Sequence, residues 1–213
     1  DTLHELAKAR AERGAEITRS LHLPAPTSEA VRAIDEHWNG AGLPRGLSKH
    51  DIPLLARIAS LAQTAEVFAQ NAGPEGAFRV ATERSGTWFD PDVVKAFLAT
   101  RSDTAFWARL HDPMVRQHVA GFEPPSLAIH ADQDAVDRVA YAFAMIIDAK
   151  SPWTVRHSLG VSEVAVSIAS FMGLDPGEIR RLRRAALLHD IGKLGVSNRI
   201  LDKPGKLTRP ERE

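Results

Sequence analysis

The chain has 213 residues, 44% hydrophobic and 25% charged, a globular composition for one or two domains that excludes a disordered chain. Lys+Arg and Asp+Glu each number 27, so no global field draws it to nucleic acid or anionic membrane, and any anion site must be local. Cysteine is absent, which excludes disulfides, thiolate metal sites and cysteine nucleophiles. No apolar run approaches the roughly 18–20 residues of a membrane span, and no signal-peptide layout opens the chain. A cytoplasmic protein is the expectation.

The apolar pattern repeats at helical spacing throughout, and no stretch alternates as a strand does. Residues 2–21 predict a helix with Leu3, Leu6, Ile17 and Leu21 on its apolar face, ended by Pro24 and Pro26. Thr27 or Ser28 is the expected cap of a short helix containing Val31 and Ile34. A loop punctuated by glycines follows from Trp38 to Leu47. Ser48 with Asp51 marks the next helix start, Pro53 lies in its first turn, and Leu54, Leu55, Ile58, Leu61, Ala62, Ala65 and Phe68 form its stripe. Gly73-Pro74 breaks that helix, and a short one follows through Phe78 and Val80. Asp90 as cap with Pro91 starts a helix that buries Val93, Val94, Phe97 and Leu98, with Trp88 and Phe89 expected in the core. Residues 103–119 predict one or two helices broken near Pro113, and Gly121 to Pro125 is the best boundary in the chain.

Beyond the boundary, Val136, Val139, Ala140, Phe143, Ile146 and Ile147 predict a helix ending near Lys150. Ser151-Pro152 is read as the start of another, carrying Leu159, Val161, Val164, Ile168 and Phe171 and stopping at Gly173. Asp175, Pro176 and Glu178 combine an N-cap, a first-turn proline and a capping-box partner for a third helix. That helix runs through Ile179, Leu182 and Ala186 into His189-Asp190. Arg180, Arg181, Arg183 and Arg184 band it, either as a solvated face or as an attraction for an anionic ligand. Lys203-Pro204-Gly205 is a turn, and Thr208 with Glu211 announces a helix in whose first turn the chain stops. With no starting Met and this end, the chain is expected to be a fragment.

Residues 185–193, Ala-Ala-Leu-Leu-His-Asp-Ile-Gly-Lys, carry the chemistry. A buried carboxylate is costly without a partner, and beside an imidazole that partner is expected to be a metal ion. Lys193 follows His189 by four residues and Asp190 by three, so on a continuous helix all three share neighbouring faces, where the ammonium meets an anion held by the metal. His4, His22, His37, His50, His111, His118 and His130 lack ligand spacing and read as surface or locally bonded histidines.

Three separated blocks carry a resemblance. They are Asp148-Ala149-Lys150-Ser151-Pro152-Trp153-Thr154-Val155-Arg156-His157-Ser158, Leu187-Leu188-His189-Asp190-Ile191-Gly192-Lys193, and residues 200–208 around Lys203-Pro204-Gly205. Residues 148–211 resemble the HD-GYP subgroup of the HD superfamily of metal-dependent phosphohydrolases. The resemblance implies an all-α fold of HD-domain-like helical bundles. It implies His157, His189 and Asp190 as metal ligands, Asp190 bridging two divalent ions such as iron or manganese, and Lys193 on the substrate phosphate. Imidazole and carboxylate donors suit such ions. Trp153 stands where some members place a glutamate for a third metal, which argues for two.

Residues 36–47, 52–58 and 86–91 resemble the second half of the same domain, with Leu43 where the family's loop has tyrosine. On that alignment the ligand positions hold Arg10, Ile34, Asp35 and Gln63, none of which completes a metal set. The expected order is therefore a degenerate, non-catalytic second half over residues 1–120, a linker over 121–130, and the first half of another domain over 131–213. The expected function is a metal-dependent phosphodiesterase acting on cyclic di-GMP or another phosphoester in the complete protein, with residues 1–213 alone inactive. The expected partners are that substrate and a homodimer mate, without nucleic acid or membrane. The rival readings are a helical sensor or interaction module without catalysis and an HD-type nucleotidase.

Overall fold

The computed structural model describes residues 2–110, 112–122, 132–150 and 156–211. All regular structure among them is helical, apart from two isolated bridges, Asn39 with Ser48 and Ser85 with Phe89. The chain is all-α, as expected, and divides into two compact units, Asp1–His130 and Ala131–Glu213.

In the first unit α1 (Thr2–Ser20) buries Ala11 and Ala15, while Leu3 and Leu6 of the expected stripe are exposed. Small residues win because α2 (Ala25–Arg32) packs close: a Cβ on Gly14 would lie 2.7 Å from Val31. The start of α2 differs from expectation. Pro24 is its cap, Pro26 sits in the first turn, and Ser28 is a buried helical residue whose hydroxyl accepts from Thr18 at 2.9 Å.

The next helix also starts later than read. Ser48 makes no cap bond, Lys49–Asp51 is a 3-10 turn, and α3 (Leu54–Glu83) begins after Pro53. Proline disfavours the helical region for the residue before it, and Ile52 is extended, so the helix cannot begin sooner. The break expected at Gly73-Pro74 is present, as non-helical backbone at Ala72 and Gly73, the latter with a φ of 68° that favours glycine. Leu61, Ala65, Ala69, Ala77, Phe78 and Ala81 are buried, whereas Leu54, Leu55 and Ile58 face outward because Ala56 occupies the inner position.

Asp90 caps α4 (Pro91–Leu98) through the N–H of Asp92 at 2.8 Å, and Val94 and Phe89 complete the core with Leu61 and Ala81. Trp88 is not in the core: it lies at the surface between the His37 ring, stacked at 4.3 Å, and the Arg84 guanidinium at 4.0 Å. Helices α5 (Thr104–Arg109) and α6 (Val115–Ala120) flank Pro113 as expected. Of the expected boundary, residues 123–130 lie outside the described residues, as do His111 and His130.

The second unit opens with α7 (Gln133–Asp148), capped by Asp132 on the N–H of Ala135 at 2.7 Å. Its buried side is Ala140, Ala144 and Ile147; Val136, Val139, Phe143 and Ile146 are more exposed than the stripe predicts. Helix α8 (His157–Phe171) follows a left-handed Arg156 (φ 63°) and ends at Gly173 (φ 76°). The expected start at Ser151-Pro152, and Trp153, lie outside the described residues. Val164, Ile168 and Phe171, expected inside, are exposed.

Helix α9 (Pro176–Leu188) carries the expected capping box between Asp175 and Glu178. Its core contact joins Leu187 to Ala140 and Ala144 of α7, with Leu159 and Leu188 against them. The basic band is not simply solvated: Arg180 and Arg184 share the Asp137 carboxylate of α7, at 2.7 and 2.5 Å, and Arg180 also reaches Asp134. Burial pushes the Asp137 carboxyl up, but the two guanidiniums outweigh it and hold it below its ordinary range. After the site turn, a short α10 (Asn198–Leu201) leads to the Lys203 turn. There Glu211 accepts from the Thr208 N–H at 2.7 Å and from Lys203 at 2.6 and 2.8 Å.

Candidate metal centre

Three residues from two helix ends meet in the second unit. His157 is the first residue of α8, and His189 caps the C-terminus of α9. His157, His189 and Asp190 each present one ligand atom, and these atoms all lie within 4.8 Å of one another. Among the described residues this is the one cluster of three or more such groups. The two rings approach edge to face at a centroid distance of 5.2 Å. His37, His50 and His118 take local partners instead, namely Trp88, Arg57 and Asp112.

The sequence reading placed His189, Asp190 and Lys193 on one continuous helix. The structure corrects that. Helix α9 stops at Leu188, Asp190 has a φ of −100°, and Ile191–Gly195 is a 3-10 turn. The tighter turn still brings the Lys193 ammonium to 2.6 Å from Asp190 Oδ2. The cluster is also less buried than expected, with side chains of His189, Asp190 and Lys193 exposed by 34%, 21% and 36%. That exposure leaves the cluster open to a ligand.

The surroundings keep the Asp190 carboxylate ionised. The hydrogen bond from Lys193 holds the Asp190 carboxyl below its ordinary value; burial opposes the shift, and His189 and His157 reinforce it. His189 Nδ1 lies 2.8 Å from the Ala186 carbonyl, which can only accept, so that nitrogen carries a proton. Its other nitrogen, Nε2, then faces Asp190 Oδ2 at 3.2 Å. A carbonyl that fixes the ring through its far nitrogen is the usual support of a ligating histidine. This donor set fits a divalent ion.

The sequence reading missed the support beneath these groups. Asp148, at the end of α7, accepts from the Ser158 N–H and from the Ser158 hydroxyl at 2.7 Å. Lys150 donates to the Leu194 carbonyl at 2.9 Å and accepts at its own carbonyl from Asn198 at 3.0 Å. Alternation of apolar and polar positions carries no trace of such contacts.

At the ligand positions of the resembled domain, the first unit has a different arrangement. Arg10 and Asp35 form an ion pair beside a pocket of about 380 Å³ lined by Leu3, Leu6, His37 and Leu43. Next to it, the buried Glu36 carboxylate accepts from the backbone N–H groups of Arg45 and Leu47 at 2.7 and 2.8 Å. Gly42 approaches so closely that a Cβ there would lie 2.1 Å from the His37 nitrogen.

A helical unit whose His-Asp pair at a helix end meets a histidine from the preceding helix is of HD type. Models described as HD domain match residues 4–93 and 154–213. The chain belongs to the HD-domain family. It is 40% identical over 211 residues to a 3'3'-cGAMP-specific phosphodiesterase of Vibrio cholerae, covering 99% of this chain and 46% of that protein. A cyclic di-GMP phosphodiesterase of Pseudomonas aeruginosa is 28% identical over 180 residues, 84% of this chain and 40% of that protein. A crystal structure of a cyclic GMP-AMP-specific phosphodiesterase from V. cholerae superposes with a TM-score of 0.77 at 40% identity, over 98% of this chain and 50% of that one. The chain thus spans about half the length of these relatives. No helix among the described residues is long and apolar enough to cross a membrane.

Proposed function

We propose that this chain contributes the histidine-aspartate part of a metal-dependent phosphodiesterase that opens a cyclic dinucleotide. The observation that carries the reading is the convergence of His157, His189 and Asp190, with Lys193 beside them. Two divalent ions such as iron or manganese are the proposed cofactor, which His157, His189 and Asp190 would help to hold; bound there, they would supply Lewis-acid charge and an activated water. Within this chain, His157 and His189 hold the cation from two helix ends. Asp190 would supply the negative charge, and Lys193, beside that carboxylate, would offset charge on a substrate phosphate.

Three donors leave coordination positions open, so residues 1–213 alone are expected to hold metal weakly and to be inactive. The first unit, in this reading, is a non-catalytic scaffold over residues 1–120, since Arg10 and Asp35 satisfy each other. The substrate favoured is a 3'3'-linked GMP-AMP dinucleotide, because the V. cholerae relative aligned over 99% of this chain is named for it. Cyclic di-GMP is the second reading, after the P. aeruginosa relative. The test is hydrolysis of both dinucleotides by the metal-loaded protein that contains these residues, beside His157→Ala and Asp190→Ala. Loss of at least about 100-fold in each variant is expected, the upper range for disturbing a metal centre. A metal-loaded protein inert toward both dinucleotides would overturn the reading.

A further inference from the structure

The structure assigns to Asp148 a positioning role: through Ser158 it fixes the start of α8 and hence the direction in which His157 meets His189 and Asp190. This rests on the metal-centre reading above and names a residue outside the ligand set. Asp148 is 7% exposed, and Ser158 is fully buried at 0%. Both carboxylate oxygens face the Ser158 N–H, at 3.2 and 3.3 Å, and Oδ1 also accepts from the hydroxyl at 2.7 Å.

The geometry gives these bonds a task that α8 cannot perform alone. The first N–H groups of a helix have no partner within it, and the residue before them usually supplies a side-chain acceptor. Here the preceding residue is Arg156, in a left-handed conformation (φ 63°) and without a cap bond. Asp148, ten residues back and on another helix, is the acceptor instead. A carboxylate at that point also complements the positive end of the helix dipole. His157 sits between the strained Arg156 and the anchored Ser158, so the anchor sets where its ring points.

The same end of α7 holds the other side of the site. Lys150 bonds the carbonyl of Leu194, the residue after Lys193, and Asn198 bonds Lys150 in return. The α7 terminus is therefore one support touching both the His157 segment and the Lys193 turn. Partners one step behind the ligands typically cost about 10- to 100-fold in metal affinity when removed.

The test compares wild type, Asp148→Asn and Ser158→Ala in the whole chain, with histidine rings labelled for NMR. In the metal-free protein, the contact signal between the His157 and His189 rings is expected to fall in both variants, while amide signals of Ala186 and Leu187 stay in place. With Mn2+ as the probe, both rings should broaden together in wild type. In the variants both rings should need about 10-fold more Mn2+ for the same broadening. If Asp148→Asn does not fold, Ser158→Ala decides, because it keeps the carboxylate and the backbone bond. An undiminished ring-to-ring signal would overturn the assignment. If Mn2+ broadens neither ring in wild type, the metal reading fails, and the metal-free ring contact still decides the role of Asp148.

Discussion

Replacing Glu36 by Gln tests how the loop of the first unit is held. The Glu36 carboxylate is 2% exposed and bonds two backbone donors nine and eleven residues on, Arg45 at 2.7 Å and Leu47 at 2.8 Å. Glutamine keeps the shape but turns one acceptor into an NH2 group facing a backbone N–H. One charge-assisted bond, worth about 1.5–3 kcal/mol, is lost, and the other becomes a neutral bond about half as strong. Burying an amide is less costly than burying a carboxylate, which offsets part of the loss. The loop should therefore open more easily by about 2–3 kcal/mol. At about 1.4 kcal/mol per factor of ten, amide exchange at Arg45 and Leu47 should speed up by about 30-fold or more. Amides of α9 in the second unit serve as the control and should not change. Exchange at Arg45 and Leu47 within about threefold of wild type would refute the view that this carboxylate holds the loop.

Gly42→Ala places a Cβ 2.1 Å from the His37 backbone nitrogen, a contact that no side-chain rearrangement relieves, so the first unit should lose the His37–Trp88 stack, read as altered near-UV circular dichroism. Glu211 is held down at about 2, first by the hydrogen bond from Lys203 and then by Thr208, against an ordinary 4.5. Because the folded value is the lower one, its stabilisation is fully present above about pH 4.5 and is lost as pH falls through about 2. Lys203→Ala should return the Glu211 titration toward 4.5, as measured by carboxyl NMR.

What the sequence made legible was mostly local. Asp90 with Pro91, and Asp175 with Glu178, act within their own first turns, so their spacing carries the geometry. Pro53 misled because a proline can lie in the first turn or just before it, and Ile52 had to be extended. Which face of a helix is buried was read less well. Leu3, Leu54, Val164 and Phe171 follow a helical period as faithfully as the residues inside, and close packing through Ala11, Ala15 and Ala56 chose the small ones. At the site, the residue types and their block spacing identified the cluster, but not that α9 would end at Leu188. Asp148 and Glu36 stayed hidden because their partners lie far along the chain, Ser158 ten residues away and Leu47 eleven.

The two units invite one electrostatic argument about a carboxylate near a helix end. In the first unit, Asp35 is paired with Arg10, whose delocalised charge stays protonated. In the second, Asp190 is neutralised by Lys193, a flexible and partly exposed ammonium only three residues away. The imidazoles of His157 and His189 stand beside the same carboxylate. An arriving divalent cation would compete with Lys193 for Asp190 and gain two imidazole donors that lysine cannot use. The displaced ammonium would then remain within reach of an anion bound beside it. In the first unit the same exchange has no imidazole pair to reward it, since Ile34 and Arg10 stand at the aligned positions.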